Sequence, residues 1–392
     1  MVEILAILNE EPKAHGLAGD LEPPDWPPLN LPEVEALLRR YPRAGGAVRI
    51  ASVSPRPFSS ASVVETEQGA VFVKRHARSV RDRAGLMEEH RLIDHLSSEL
   101  PDLVQGVLAD RDGETAICEG EWTYEVHPVA RGLDVYRDAL SWTPCRSSGH
   151  ARSAGRALAK LHQTAAGYEA PARDTGQLIS SYSIFAGENP EAAMQTYLAK
   201  RPMLLKYAEQ RHWRASLNDL LMPFYRSLKP WLGHLQPLWT HNDFHTSNLT
   251  WSGSEPSAEV TGIIDFGLSD RTNAVHDLAT AIERNIVEWL RIEEPGAQVV
   301  HLDHLDALLD GYEELAPLSL AEARALAAML PIVHCEFALS ETDYFLSILN
   351  SPEKAYLAYE GYFFGHARWF LGEQGRRLLN HLEERAERKL RR

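Results

Sequence analysis

The stretch HNDFHTSNL, residues 241–249, puts two histidines, an aspartate and an asparagine into one short polar segment between apolar flanks. Asp243 and Asn248 stand five positions apart. A second carboxylate, Asp265, follows Asp243 by twenty-two positions, behind the apolar run Gly262-Ile263-Ile264 and ahead of Phe266-Gly267. These residue types suit phosphoryl transfer. That chemistry needs a carboxylate to orient the acceptor hydroxyl and take its proton, oxygen ligands for a cation, and a fixed phosphate donor. Mg²⁺ takes one or two carboxylates and fills its shell with phosphate oxygens and water. Asp243 is the candidate base. Asn248, through its amide oxygen, and Asp265 are the candidate metal ligands. A lone DFG is close to noise, but HxDxxxxN followed by DFG, in this order and between β-type flanks, is specific.

The rest of the chain must position these groups. Short apolar strands, LWTH, NLTW and EVTGIIDF, flank the polar segment. Upstream, VRIASVS, ASVVETE and AVFVKRH are β-rich, and Gln68-Gly69 joins the last two as a hairpin turn. RDRAGLMEEHRLIDHLSSEL (81–100) has apolar residues at helical spacing. TAICEGEWTYEVHPV (115–129) reads as a second hairpin with EGE at its tip. GHARSAGRALAKLHQ (149–163) is an amphipathic helix with small residues on one side, and residues 275–392 are helical in pattern. A β-rich lobe followed by a helical one makes the fold α+β. The expected organisation is an N-terminal arm with a proline-rich connector and one short helix (1–47), a small antiparallel lobe (48–130) and a large helical lobe (131–392). Residues 1–20 read as a weak helix or arm.

Composition narrows the partners. The net charge of −15 argues against nucleic acid or an anionic membrane as a main partner, since both select basic surfaces. It allows a neutral or cationic small substrate. Three scattered cysteines, Cys118, Cys145 and Cys335, give neither a zinc ribbon nor a disulfide framework. The N-terminus lacks the basic region of a signal peptide. The apolar stretch 325–339 is interrupted by Pro331, His334 and Glu336 and is too short to span a bilayer. The expected setting is the cytoplasm.

On HNDFHTSNLTW, GIIDFGLSD, the preceding GRALAKLH and the following HDLATAIE, the chain resembles the aminoglycoside phosphotransferase and choline kinase superfamily of small-molecule kinases, including its homoserine-kinase-like branch. The resemblance covers residues 48–290. It implies a bilobal protein-kinase-like fold and transfer of the γ-phosphoryl of ATP or GTP, with Mg²⁺, to a hydroxyl. It implies Asp243 as base, Asn248 and Asp265 as metal ligands, and His241 as a residue that shapes the loop. His245 also matches the family and reads as structural. Lys74, at the end of AVFVKRH, is the implied phosphate-anchoring lysine, with Glu89 on the next helix as its ion-pair partner. The nucleotide base is expected against Val126 and His127 after the second hairpin.

One departure concerns the phosphate loop. SPRPFSSASVVE (54–65) contains no glycine, so Ser59, Ser60 and Ser62 are the candidates for offering amides and hydroxyls to phosphate. This loop is the one argument for an alternative, a nucleotide-binding pseudokinase with a regulatory role. A protein substrate is disfavoured, because Asp277 follows Asp265 by only twelve positions and leaves no room for a peptide-docking segment. The expected acceptor is an amino alcohol, amino acid, amino sugar or aminoglycoside-like molecule. Its pocket is expected from Glu283, Asn285, Glu288, Trp289, Glu336 and Asp343, where acids beside aromatics would hold an ammonium group. Asp277 is expected to bond backbone near the catalytic loop.

Overall fold

The computed structural model describes residues 24–173 and 176–391. The expectation for residues 1–20 lies outside them. The proline-rich connector leads into helix α1 (Leu31–Leu38), which starts where Asn30 and Glu33 form a capping box. Five antiparallel strands follow: β1 (Ala47–Val53), β2 (Ser60–Thr66), β3 (Gly69–Ala77), β4 (Ile117–Glu119) and β5 (Trp122–Pro128). Their order across the sheet is β1-β2-β3-β5-β4. The hairpin turns fall where the sequence puts them, with Gly69 and Gly120 at positive φ. Helix α2 (Arg83–Glu99), capped by Asp82, crosses one face of this sheet.

Register decides which residues share a face, because paired residues of an antiparallel ladder point the same way. Ser62, Val73 and Val126 are in register, as are Ala61, Lys74 and Glu125. The first set packs with Val64, Val71 and Tyr124 under α1, in a small core with Val34, Leu37 and Leu38. The second set therefore faces the opposite way, toward α2 and the cleft.

The helical lobe is built around α3 (Ser148–Ala165) and α4 (Ala274–Ile286). The small residues on α3 have a definite use. A Cβ on Gly155 would come within 2.0 Å of Leu308 O, and one on Gly311 within 2.1 Å of Arg152 O. The helix Leu302–Glu313 thus crosses α3 at backbone contact. Two short antiparallel pairs carry the polar segment: β6 (Pro237–Thr240) with β9 (Asp270–Asn273), and β7 (Leu249–Trp251) with β8 (Val260–Ile263). Strand β9 is absent from the sequence reading, since DRTN lacks any apolar alternation. Leu320–Ser347 forms one 28-residue helical run that is long and apolar enough to cross a membrane, but 89% of its most apolar window is buried in the lobe. Pro331 does not end this run; it sits in a single 3₁₀ turn, Leu330–Ile332.

Candidate active site

The polar segment is a loop held almost entirely by side-chain bonds to backbone. Asp277, on α4, accepts from the backbone N–H of His241 at 2.9 Å and of Asn242 at 2.8 Å, and from His162 Nε2 at 3.0 Å. Asn285, two turns further along α4, accepts from Thr246 N and donates to Phe244 O. Asn242 takes a left-handed conformation, φ 60°, which asparagine tolerates better than most residues. Its amide is tied to Ser180 O, Leu268 O and Thr240 Oγ1. The expectation for Asp277 holds.

His241 has a readable tautomer. Its Nε2 lies 3.0 Å from Ile264 O and must donate, so its Nδ1 is free to accept from Asp243 N at 3.2 Å. Its ring packs on Phe266, with centroids 4.9 Å apart. The residue therefore couples the loop to the segment that carries Asp265.

Asp243 is surrounded by donors. Its Oδ1 lies 2.6 Å from Arg284 Nη2, and its Oδ2 lies 3.0 Å from Asn248 Nδ2 and 3.4 Å from His245 Nε2. Burial alone would push this carboxyl up. The neighbouring His245 and Arg284 outweigh that and hold it well below the ordinary carboxylate range. His245 is buried and bonded through Nδ1 to Ser247 Oγ at 2.8 Å.

Asp265 also has a left-handed backbone, φ 60°. Its Oδ1 pairs with Lys74 Nζ at 2.8 Å, while its side chain stays 39% exposed. A Cβ at Gly267, two residues on, would stand 3.2 Å from Asp265 Oδ1, so a larger residue there would press on that carboxylate. Burial would depress the Lys74 ammonium, but Asp265 and Glu125 more than offset it and keep the lysine charged. The donor set between the lobes suits a hard cation. Asn248 Nδ2 is committed to two acceptors, Asp243 O and Oδ2, both at 3.0 Å. The amide oxygen of Asn248 is thereby left for a cation, beside the half-exposed Asp265 carboxylate.

Other expected residues lie elsewhere. Glu89 does not reach Lys74. It pairs with Arg81 Nε at 2.9 Å and Arg173 Nη2 at 2.7 Å, fixing α2 to the segment before Ser180. Ser62 shares the face of Val73 that packs under α1, and the adjacent Ser60 donates to Pro27 O at 2.6 Å. Ser59 is buried at the end of the loop. Val126 O accepts from Leu108 N, and His127 turns to Glu125 at 2.7 Å. The glycine-free loop is docked on the helical lobe by side chains: Arg56 donates to Ala139 O and Ser141 Oγ at 3.2 Å each, and Phe58 packs on Tyr344.

The expected acceptor residues are spoken for as well. Glu283 pairs with His366 at 2.5 Å, Glu336 accepts from Ser181, Ser183 and Ile184, and Asp343 accepts from Gln177 and Ser347. Glu288 pairs with Arg291 and His301, and Trp289 stacks on His366. The residue that does meet Asp243 is Arg284, whose guanidinium lies 4.1 Å above Trp142. Sequence reasoning missed it, although it stands seven positions after Asp277, two turns along the same helix face.

Comparison with known proteins bears on the family and the fold. A family model described as the phosphotransferase enzyme family matches residues 56–318, more than half of the chain. No curated protein matches the chain in sequence. Among solved structures, a microcompartment-associated aminopropanol kinase superposes with a TM-score of 0.55 at 14% identity, covering 87% of this chain and 98% of its own. A spectinomycin phosphotransferase, APH(9)-Ia, in complex with ADP and spectinomycin, gives 0.50 at 12% identity, covering 92% and 99%. Both share the kinase-like architecture of a small antiparallel sheet over a helical lobe. The chain belongs to the phosphotransferase enzyme family and is a small-molecule kinase.

Proposed function

We propose that this enzyme transfers the γ-phosphoryl group of ATP to a hydroxyl of a small acceptor, with Asp243 orienting that hydroxyl. The observation that carries this reading is the convergence of Asp243, Asn248 and the Lys74–Asp265 pair on one cleft between the sheet and the helical lobe. Asn248 and Asp265 would hold Mg²⁺, which when bound neutralises phosphate charge. Lys74 contributes a further fixed cation for the donor phosphates. Asp243 is too weak a base to strip a hydroxyl of its proton in advance. In a loose transition state it does not need to; it aligns the nucleophile and takes the proton as the new bond forms. The bonds from Asn248 and Arg284 fix the carboxylate plane for that task.

The acceptor we favour is an alcohol bearing nitrogen, an amino alcohol or an amino sugar. Two kinases of similar architecture are named for aminopropanol and spectinomycin. The test is to supply ATP and Mg²⁺ with pooled amino alcohols, amino sugars and hydroxy amino acids, and to measure ADP. Acceptor-dependent ADP release is expected from the wild type. Asp243→Asn should retain nucleotide affinity and lose about 10²–10⁴-fold in turnover. A variant that turns over like the wild type would remove Asp243 from the chemistry.

A further inference from the structure

On the face of the sheet that carries Lys74, a second cluster of titratable groups gathers around Glu125. Three imidazoles converge on one carboxylate. His90, on α2, and His127, on β5, approach Glu125 Oε2 through their Nε2 atoms at 3.0 and 2.7 Å. His76, on β3, approaches Oε1 through Nε2 at 2.9 Å. The side chains of His76, His90 and Glu125 are each under 9% exposed, while that of His127 is 21% exposed. The ligating atoms of His90, Glu125 and His127 all lie within 4.8 Å of one another.

Three imidazole N–H donors could serve a buried carboxylate without any metal. The same atoms also make a ligand set. His90 is held from its far side, where Nδ1 lies 2.8 Å from Thr115 Oγ1, itself 3.4 Å from Met87 Sδ. An imidazole whose outer nitrogen is held by a second residue, while its inner nitrogen converges with another imidazole on one carboxylate oxygen, has the layout of a metal-ligating histidine.

We infer that His90 Nε2, His127 Nε2 and Glu125 Oε2 form a binding site for a divalent transition metal of the zinc class. His76 holds the other oxygen of Glu125 and orients it. Imidazole nitrogens with one carboxylate suit zinc rather than magnesium or calcium. In a tetrahedral zinc site the ligand atoms stand about 3.3 Å apart, so small outward shifts of the two rings admit the ion. The fourth position opens beside His127, the most exposed member. Such a site joins α2, β3 and β5 on the face of the sheet that carries Lys74, since Lys74 and Glu125 are paired across the strands.

The test uses the full chain, freed of any affinity tag and stripped with a chelator. Zn²⁺ is titrated against a chromogenic competitor, and Co²⁺ is loaded separately for its visible spectrum. One tight equivalent of zinc is expected, with the intense absorption of four-coordinate cobalt. His90→Gln and His127→Gln should each weaken binding by more than about a hundredfold. His76→Gln, which removes an outer partner, should cost about 10–100-fold. The wild-type cobalt spectrum decides the matter even where a variant folds poorly, because weak six-coordinate absorption would overturn the site. Zinc affinity unchanged in folded His90→Gln and His127→Gln would overturn it too.

Discussion

Arg284 Nη2 sits 2.6 Å from Asp243 Oδ1, and its guanidinium rests 4.1 Å above the Trp142 ring. Arg284 is buried and the Asp243 side chain is 17% exposed, so solvent screens the contact only in part. It has two consequences for the carboxylate. It keeps the group ionised despite burial, and it fixes one oxygen while Asn248 fixes the other. Arg284 is thus a positioning residue for Asp243, delivered by the same helix face that anchors the loop through Asp277.

Replacing Arg284 by Met should therefore raise the pKa of Asp243, because burial would then be opposed by His245 with no guanidinium beside it. The acidic limb of the kcat/KM profile should move to higher pH. At neutral pH kcat should fall about 10–100-fold, part of what the base itself contributes. Arg284→Lys keeps the charge but loses the planar stack on Trp142, and should recover the pH limb without recovering all of kcat. An acidic limb that stays in place in Arg284→Met would show that the contact does not tune the base.

The separation of Lys74 from Glu89 gives a second expectation. A strand lysine and a helix glutamate are paired in the usual kinase arrangement, yet here Glu89 closes a buried triad with Arg81 and Arg173. Glu89→Gln should behave as a stability variant. Removing one partner of a buried ion cluster costs about 3–5 kcal/mol, read as a shift in urea midpoint. Its affinity for ADP should change by less than about threefold. Lys74→Met should do the reverse, leaving the midpoint nearly unmoved and lowering kcat by about 10²–10³-fold. Equal losses of nucleotide affinity in both variants would restore the usual pairing.

These contrasts mark how far the sequence could be read. That Asp243 meets Asn248, and Lys74 meets Asp265, follows from residues carried on one loop and two strand ends whose motifs the sequence displays. The hairpins and α2 were legible from period and turn residues. Partner choice was not. Glu88, Glu89 and His90 sit on one helix turn, and which of them meets Lys74 depends on how α2 is rotated over the sheet. Arg81 and Arg173, which stand 92 positions apart in no pattern the chain displays, decide that rotation for Glu89. The serines failed for a related reason. In strand β2 alternate residues point to opposite faces, so Ser62 was carried under α1 by the register of Val73. Arg284 was the recoverable omission, since the loop-binding Asp277 already identified the inward face of α4.

Glu341 supplies the last expectation, and it concerns pH. Its side chain is buried, and Oε2 finds no hydrogen-bond partner. Burial raises its pKa from 4.5 to about 8, opposed by Arg284 and Lys354 and assisted by Asp25 and Asp243. The unfolded chain releases this proton near pH 4.5, whereas the folded chain keeps it until about pH 8. Across that window the unfolded state binds fewer protons, so this group lowers stability as pH rises. Glu341→Gln removes the titration and should be most stabilising, relative to wild type, at pH 8. The advantage should shrink toward pH 5, changing by at most about 1.4 kcal/mol per pH unit. Urea midpoints of both proteins at pH 5, 6.5 and 8 measure it. A difference between the two that stays constant with pH would mean that Glu341 is ionised in the folded protein throughout.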